Sequence, residues 1–275
     1  MIKRIIQILL VIFLILVLAI FYLSVFGIKT DKFNNQISNN ILKINKKIEL
    51  KLSNVNYLLN PLNLTINIKT KNPLILLEGR SLGIKDIQTN VELKPLISSQ
   101  FSIDDVKITT KEIKLNDVIA LVRTFQNSPQ LFVLNTFIRD GFVSANINFN
   151  FDEKGKIKEN YKIEGSVKEA KLNILNQLKF KNLNFNFNIN KDFYSLKKIN
   201  TKINDIKITS PLIEIKKKKN SFFVNGQLLN DKKNFDIKEF ESIFSNLSNN
   251  IDIQKIEFSS KNKFSFNVNK KFKFD

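Results

Sequence analysis

Paired acids are the first residues in this sequence that could do chemistry. They are Asp104-Asp105, Asp152-Glu153 and the close pair Glu239 and Glu241. Two carboxylates share acid–base work when their surroundings push their proton affinities apart. None of these pairs comes with a partner that would do so. Asp104-Asp105 fills a polar slot that recurs along the chain. Asp152-Glu153 precedes Gly155 in the turn-like run Asp-Glu-Lys-Gly-Lys. Glu239 and Glu241 are two apart, so a helix aims them in different directions. The chain has no His and no Cys. An ordinary zinc site, a His-activated nucleophile and a disulfide framework are therefore out of reach. The 7 glycines are scattered singly, without a phosphate-cradling loop. The expectation is a protein with no catalytic residues, no metal and no cofactor. A carboxylate enzyme of the cell envelope is the remote alternative.

The formal net charge is +19, and it comes from lysine. Arginines are few: Arg4, Arg80, Arg123 and Arg139. Nucleic-acid sites lean on the planar guanidinium, so no nucleic-acid partner is expected. A lysine-coated surface is the first reading and attraction to anionic lipid the second. The run Lys216 to Lys219 reads as a solvated loop or a protected strand edge, with lipid head groups as the functional alternative. The 25 phenylalanines fall at strand spacing and read as lining or core rather than as a base-stacking platform.

The elements that would position such residues begin with an anchor. From Ile5 to Phe26 the chain is apolar except for Gln7 and Ser24. At about 1.5 Å per residue this crosses a hydrocarbon core of about 30 Å. Ile5, Leu9, Phe13, Leu16, Ile20 and Phe26 are its expected membrane-facing residues. Lys3 and Arg4 keep the N-terminus cytoplasmic under the positive-inside rule. A cleaved signal peptide is the competing reading, but the run is long and no Ala-x-Ala site follows it. Thr30 is placed to cap a short amphipathic helix to about Lys46, with Phe33, Ile37, Ile41 and Ile44 on one stripe.

After Ile48 the period becomes two. Leu62, Leu64, Ile66 and Ile68 alternate, as do Val143, Ala145, Ile147, Phe149 and Phe151, and Leu183, Phe185, Phe187 and Ile189, and Phe264, Phe266 and Val268. This is the pattern of strands with one apolar face. Helices are expected near 115–137, broken around Asn127, Ser128 and Pro129, and near 236–247, where Asp236 and Glu239 suit a capping box.

One motif repeats: apolar-x-apolar-x-x-apolar-x-apolar. It surrounds the polar pairs Ser53-Asn54, Asp104-Asp105, Lys181-Asn182 and Gln254-Lys255, and in shortened form Lys168-Glu169 and Asn204-Asp205. A plain strand would turn its second half over at the extra residue. A two-residue hairpin or a β-bulge avoids this. No pair contains Gly, which favours bulges. The expected fold is mainly β: a long curved antiparallel sheet forming a groove or half-pipe, with a closed sandwich as the alternative. The expected organisation is a tip and anchor over 1–29, the amphipathic helix over 30–47 and the β-groove over 48–275.

This organisation resembles the AsmA-like proteins of Gram-negative bacteria, an architecture related to TamB and the eukaryotic chorein-type bridge proteins. The stretches that carry it are Asn54 to Leu64, Val91-Glu-Leu-Lys-Pro-Leu96, Phe101 to Leu115 and Gly141 to Ile174. The resemblance implies a β-groove whose apolar inside shields phospholipid acyl chains between inner and outer membranes. It implies an inner-membrane, mostly periplasmic protein in outer-membrane biogenesis, with envelope proteins as further partners. It supplies no catalytic residues. The expected lining is Leu62, Leu64, Ile66, Val143, Ile147, Phe149, Phe185, Phe187 and Ile189. A non-catalytic periplasmic scaffold or assembly factor for outer-membrane proteins is the alternative function.

Overall fold

The computed structural model describes residues 2–44, 46–97, 102–125, 128–174, 178–204, 206–235 and 256–269. The expected helix near 236–247, with Glu239 and Glu241, lies outside the described residues, as does the pair Gln254-Lys255. The chain divides into two compact units, residues 1–113 with 144–163 and residues 114–143 with 164–275.

The first unit opens with α1 (Ile2–Val25), whose Lys3–Val25 stretch is long and apolar enough to cross a membrane. Ser24 within it donates its hydroxyl to the Ile20 carbonyl at 2.7 Å, which satisfies that polar group inside the apolar helix. Phe26 lies in the turn beyond the helix. The Phe26 and Gly27 amides both bond the Tyr22 carbonyl, at 2.9 and 3.3 Å, and Gly27 takes φ +66. This is a left-handed helix end of the kind glycine makes cheaply. A Cβ at Gly27 would stand 2.5 Å from the Tyr57 carbonyl oxygen, so the close approach also requires glycine.

The strand β1 (Ile28–Thr30) follows at once and pairs with β3 (Val55–Asn60). The amphipathic helix therefore starts later than Thr30, as α2 (Asn34–Ile44). Edge pairing claims Ile28–Thr30, and the Thr30 hydroxyl accepts from the Lys32 amide at 3.2 Å instead of capping a helix. The helix α2 is held to β2 (Ile48–Lys51) by Ser38, whose hydroxyl donates to the Leu50 carbonyl at 2.5 Å. Then come β4 (Thr65–Lys71), β5 (Leu74–Leu77), β6 (Arg80–Glu92), α3 (Leu93–Ile97) and β7 (Ile103–Thr110). The long β6 serves two ladders: residues 80–83 pair with β5 and residues 86–92 with β4. The buried apolar side chains Ile48, Leu50, Leu77, Leu82 and Ile84 lie on β2, β5 and β6. At about 1.5–3 kcal/mol for each large apolar side chain fully buried, this is the packed part of the unit.

Next come β8 (Ile113–Lys114), α4 (Leu115–Phe125), α5 (Pro129–Phe137) and β9 (Ile138–Asn150). The break between the helices falls where the sequence placed it. Ser128 caps α5 by accepting from the Leu131 amide at 3.3 Å, with Pro129 in the first turn, where a missing N–H costs nothing. The second unit continues with β10 (Lys162–Ile174), β11 (Leu178–Ile189), β12 (Phe193–Ile203), β13 (Ile206–Lys217), β14 (Ser221–Phe235) and β15 (Ile256–Asn269). The strands make one large open antiparallel sheet in the order β1-β3-β4-β6-β7-β9-β10-β11-β12-β13-β14-β15, with β2, β5 and β8 paired beside it.

The recurring polar pairs have three fates. Three are bulges. Asn90 pairs with Asp105 and Val91 with Ile103, leaving Asp104 as the extra residue. Glu169 and Asn182 take φ of +53 and +51 inside β10 and β11. The fourth pair is a tight hairpin: Ile203 faces Ile206 directly, and Asn204 has φ +47. Asn visits that region more readily than most residues, and its Oδ1 accepts from the Lys179 amide of β11 at 3.0 Å. The fifth, Ser53-Asn54, joins β2 to β3, which lie in different ladders.

Candidate functional site

In the second unit the register stacks apolar residues into cross-strand rows. One row is Phe187, Leu196, Ile213, Gly226 and Phe264; the next is Ile189, Tyr194, Ile215, Val224 and Phe266. Directly paired residues share a face, so five adjacent strands present one apolar surface. Every side chain of these rows is half-buried, and among the described residues of β11 to β15 no apolar side chain is fully buried. Phe185 and Phe187 have ring centroids 6.3 Å apart, and Phe264 and Phe266 stack at 5.7 Å. Gly226 makes room for that stack. A Cβ there would meet the Phe264 Cζ at 2.7 Å and the Ile213 Cγ1 at 3.0 Å.

The bulges keep this face continuous. On β11 the extra residue at Asn182 leaves Phe180 and Leu183 on the same side; on β12 Lys198, with φ +54, does the same for Ile199 and Leu196. Pro211 sits at the shift in β13, where a ladder N–H is not needed. Polar side chains bond the backbone groups the bulges free. Asn184 accepts from the Glu169 amide at 3.0 Å and donates to the Asn182 carbonyl at 2.7 Å; the Thr201 hydroxyl donates to the Lys181 carbonyl at 3.2 Å. Ser210 spans its own bulge to the Leu212 carbonyl at 3.3 Å. The opposite face is polar and basic: Lys181, Lys202 and Lys207 stand side by side, with Lys207 on Asp231.

The first unit repeats the plan by itself. Tyr57, Ile68, Thr89, Val106 and Phe149 form one row and Leu59, Ile66 and Val91 another. Burial lifts the Tyr57 phenol above its ordinary pKa, and the ring meets Phe33 edge-on at 5.7 Å. The reverse face carries a hydrogen-bonded ladder. Asn67 donates to Asn90 at 2.8 Å, and Asn90 to Asp105 at 2.6 Å.

The expected lining residues divide accordingly. Phe185, Phe187 and Ile189 lie on β11 in the second unit, and Val143 on the part of β9 that belongs there. Ile66, Ile147 and Phe149 lie in the first unit's rows. Leu62 and Leu64 do not belong to a strand. They sit in the β3–β4 turn, Leu62 is 93% exposed, and Leu64 takes φ +50. The alternation runs through the turn by coincidence, and Pro61 ends β3. Leu196, Ile213, Val224 and Phe264 were missing from the expected lining. Their strands alternate as clearly as β11, but only register shows that they share its rows.

In the two described acid pairs, Asp105 and Asp152 hold backbone and neighbours. Asp105 is 5% exposed between Asn90 and Lys107, the latter at 3.2 Å. Asp152 Oδ1 closes its turn by accepting from the amides of Lys154 and Lys156, both at 2.9 Å, and the Lys156 bond foremost holds its carboxyl below the usual range. In the lysine run, Lys218 lies 5.0 Å over the Phe223 ring. No protein-family model matches the sequence, and comparison with curated proteins and with solved structures returned no match.

Proposed function

We propose that the chain is a membrane-anchored, non-catalytic protein of the AsmA-like kind, whose apolar sheet faces shield lipid acyl chains in the periplasm and so contribute to phospholipid supply and outer-membrane biogenesis. The observation that carries this reading is the single-layer apolar face of β11 to β15. Its rows span about 19 Å across five strands, and their apolar side chains stay half-buried. One leaflet of hydrocarbon is about 15 Å deep, so each row is long enough for a tail laid across the strands. Association needs no reaction, because apolar side chains replace the bilayer around the tail while the head group stays in water. In this reading Lys3 and Arg4 hold the N-terminus in the cytoplasm.

The test is a photo-crosslinking amino acid placed at Phe187 or Phe266 in the full chain, with Lys202 on the reverse face as control. Phospholipid adducts at the first two positions and none at the third are expected. A folded protein without lipid adducts at either position overturns the acyl-chain reading. Protein adducts at those positions instead would favour a periplasmic scaffold.

A further inference from the structure

The β3–β4 turn, Pro61-Leu62-Asn63-Leu64, is a second apolar feature, and it lies at a telling end of the sheet. The strand β1 is antiparallel to β3, with Ile28 on Tyr57 and Thr30 on Val55. The chain therefore arrives from α1 at the end of the sheet toward which β3 runs. Five residues past Tyr57 stands Leu62, 93% exposed, and then Leu64, 45% exposed. Within Lys3–Val25 only Leu23 and Ser24, in the last turn, are partly covered, and the rest of the stretch is bare. The helix projects away from the unit instead of lying back across it. From Leu52 to Ile68 the chain carries no charged residue, although 25% of the sequence is charged. Two of the turn's backbone groups are tied down. Asn60 accepts from the Asn63 amide at 3.2 Å, and the Leu64 carbonyl accepts from the Leu93 amide at 2.9 Å. At the wet boundary between head groups and acyl chains, water still reaches the tip's remaining backbone groups while the apolar side chain leaves water.

We propose that this turn dips into the outer surface of the bilayer that α1 spans, with Leu62 as the inserted side chain. The inference rests on the reading of α1 as a membrane anchor and is independent of lipid binding by the sheet faces. The occupant is the phospholipid surface of that same membrane. A helix ending beside Tyr57 brings the lipid to the turn, and the uncharged stretch suits a low-dielectric surface.

The chain has no Trp, so a single introduced indole reports on its own site. Leu62→Trp and Phe13→Trp are made separately in the full chain and reconstituted into phosphatidylcholine–phosphatidylglycerol vesicles. Their acyl chains are brominated either near the carbonyl or near the methyl end. Lys154→Trp, in the polar Asp152 turn, is the solvent control. For Leu62→Trp we expect blue-shifted emission and at least twofold quenching by the shallow bromines, exceeding that by the deep ones. Phe13→Trp is quenched most by the deep bromines, and Lys154→Trp by neither. Quenching at Phe13→Trp with none at Leu62→Trp overturns the turn insertion alone. No quenching at Phe13→Trp overturns the anchor itself, and with it the inference. Unchanged circular dichroism and thermal unfolding of Leu62→Trp keep a misfolded sample from being read as a negative.

Discussion

At the scale of single residues, polar side chains in this protein are occupied with geometry. Asp140 shows how. Its Oδ1 accepts from the Gly141 amide at 2.9 Å and its Oδ2 faces Lys171 at 3.2 Å. The Gly141 bond foremost lowers its pKa. Gly141 itself has φ +128, and a Cβ there would stand 2.6 Å from the Ala170 Cα, so Asp140 tethers a backbone crossing that only glycine permits. Glu78 is lowered chiefly by its hydrogen bond to Lys47, and Asp152 by the Lys156 amide. Folded values below the unfolded ones mean that these carboxylates stabilise above about pH 4 and lose that contribution as pH falls through their folded values. Thermal unfolding followed from pH 6 to pH 2 is therefore expected to show falling stability below about pH 4. The triple variant Glu78→Gln, Asp140→Asn, Asp152→Asn should flatten that acid limb. An unchanged limb would place the acid sensitivity elsewhere.

At the scale of elements, the bulged strands decide whether an apolar face exists at all. Glu169 and Lys198 hold left-handed backbone without glycine's freedom, at about 1–2 kcal/mol for an L-residue. Glycine returns about 0.5–1 kcal/mol of that as lost chain entropy. Glu169→Gly is thus expected to gain about 0.5 kcal/mol in denaturant unfolding, while deleting Glu169 flips Ala170 and Leu172 to the polar side and abolishes cooperative unfolding. A deletion that unfolds like the parent would show that the bulge carries no register. Much of this was legible from the amino acids. The alternation through Phe185, Phe187 and Ile189, the break before Pro129 and the extra residues at Asp104, Glu169 and Asn182 all follow from local periodicity. What was not legible is non-local. Ile28–Thr30 is too short to show a period and is a strand only because β3 offers an edge. Asn204 differs from Asn182 only in what pairs beyond it. Leu62 and Leu64 mimic a strand that Pro61 has already ended.

At the scale of the whole molecule, one apolar helix precedes a sheet with paired apolar and polar faces. The orientation we propose leaves Lys3 inside and everything after α1 outside. With no native Cys, it is readable by single-cysteine labelling: Lys154→Cys should react with an impermeant maleimide once only the outer membrane is opened, and Lys3→Cys only after lysis. The reverse order would place the sheet in the cytoplasm and end the periplasmic reading.

Only Phe26 and Gly27 separate the last turn of α1 from paired β structure, and the Gly27 main chain is wedged against Tyr57. Such a junction has no slack. In the anchored orientation we propose, a rod seated this way hands its lean to whatever it carries, and the lean of a single-span rod answers to bilayer thickness. A thinner membrane would pitch the first rows of the sheet toward the lipid surface, and a thicker one would stand them upright, so lipid composition becomes a steering input at the foot of the molecule.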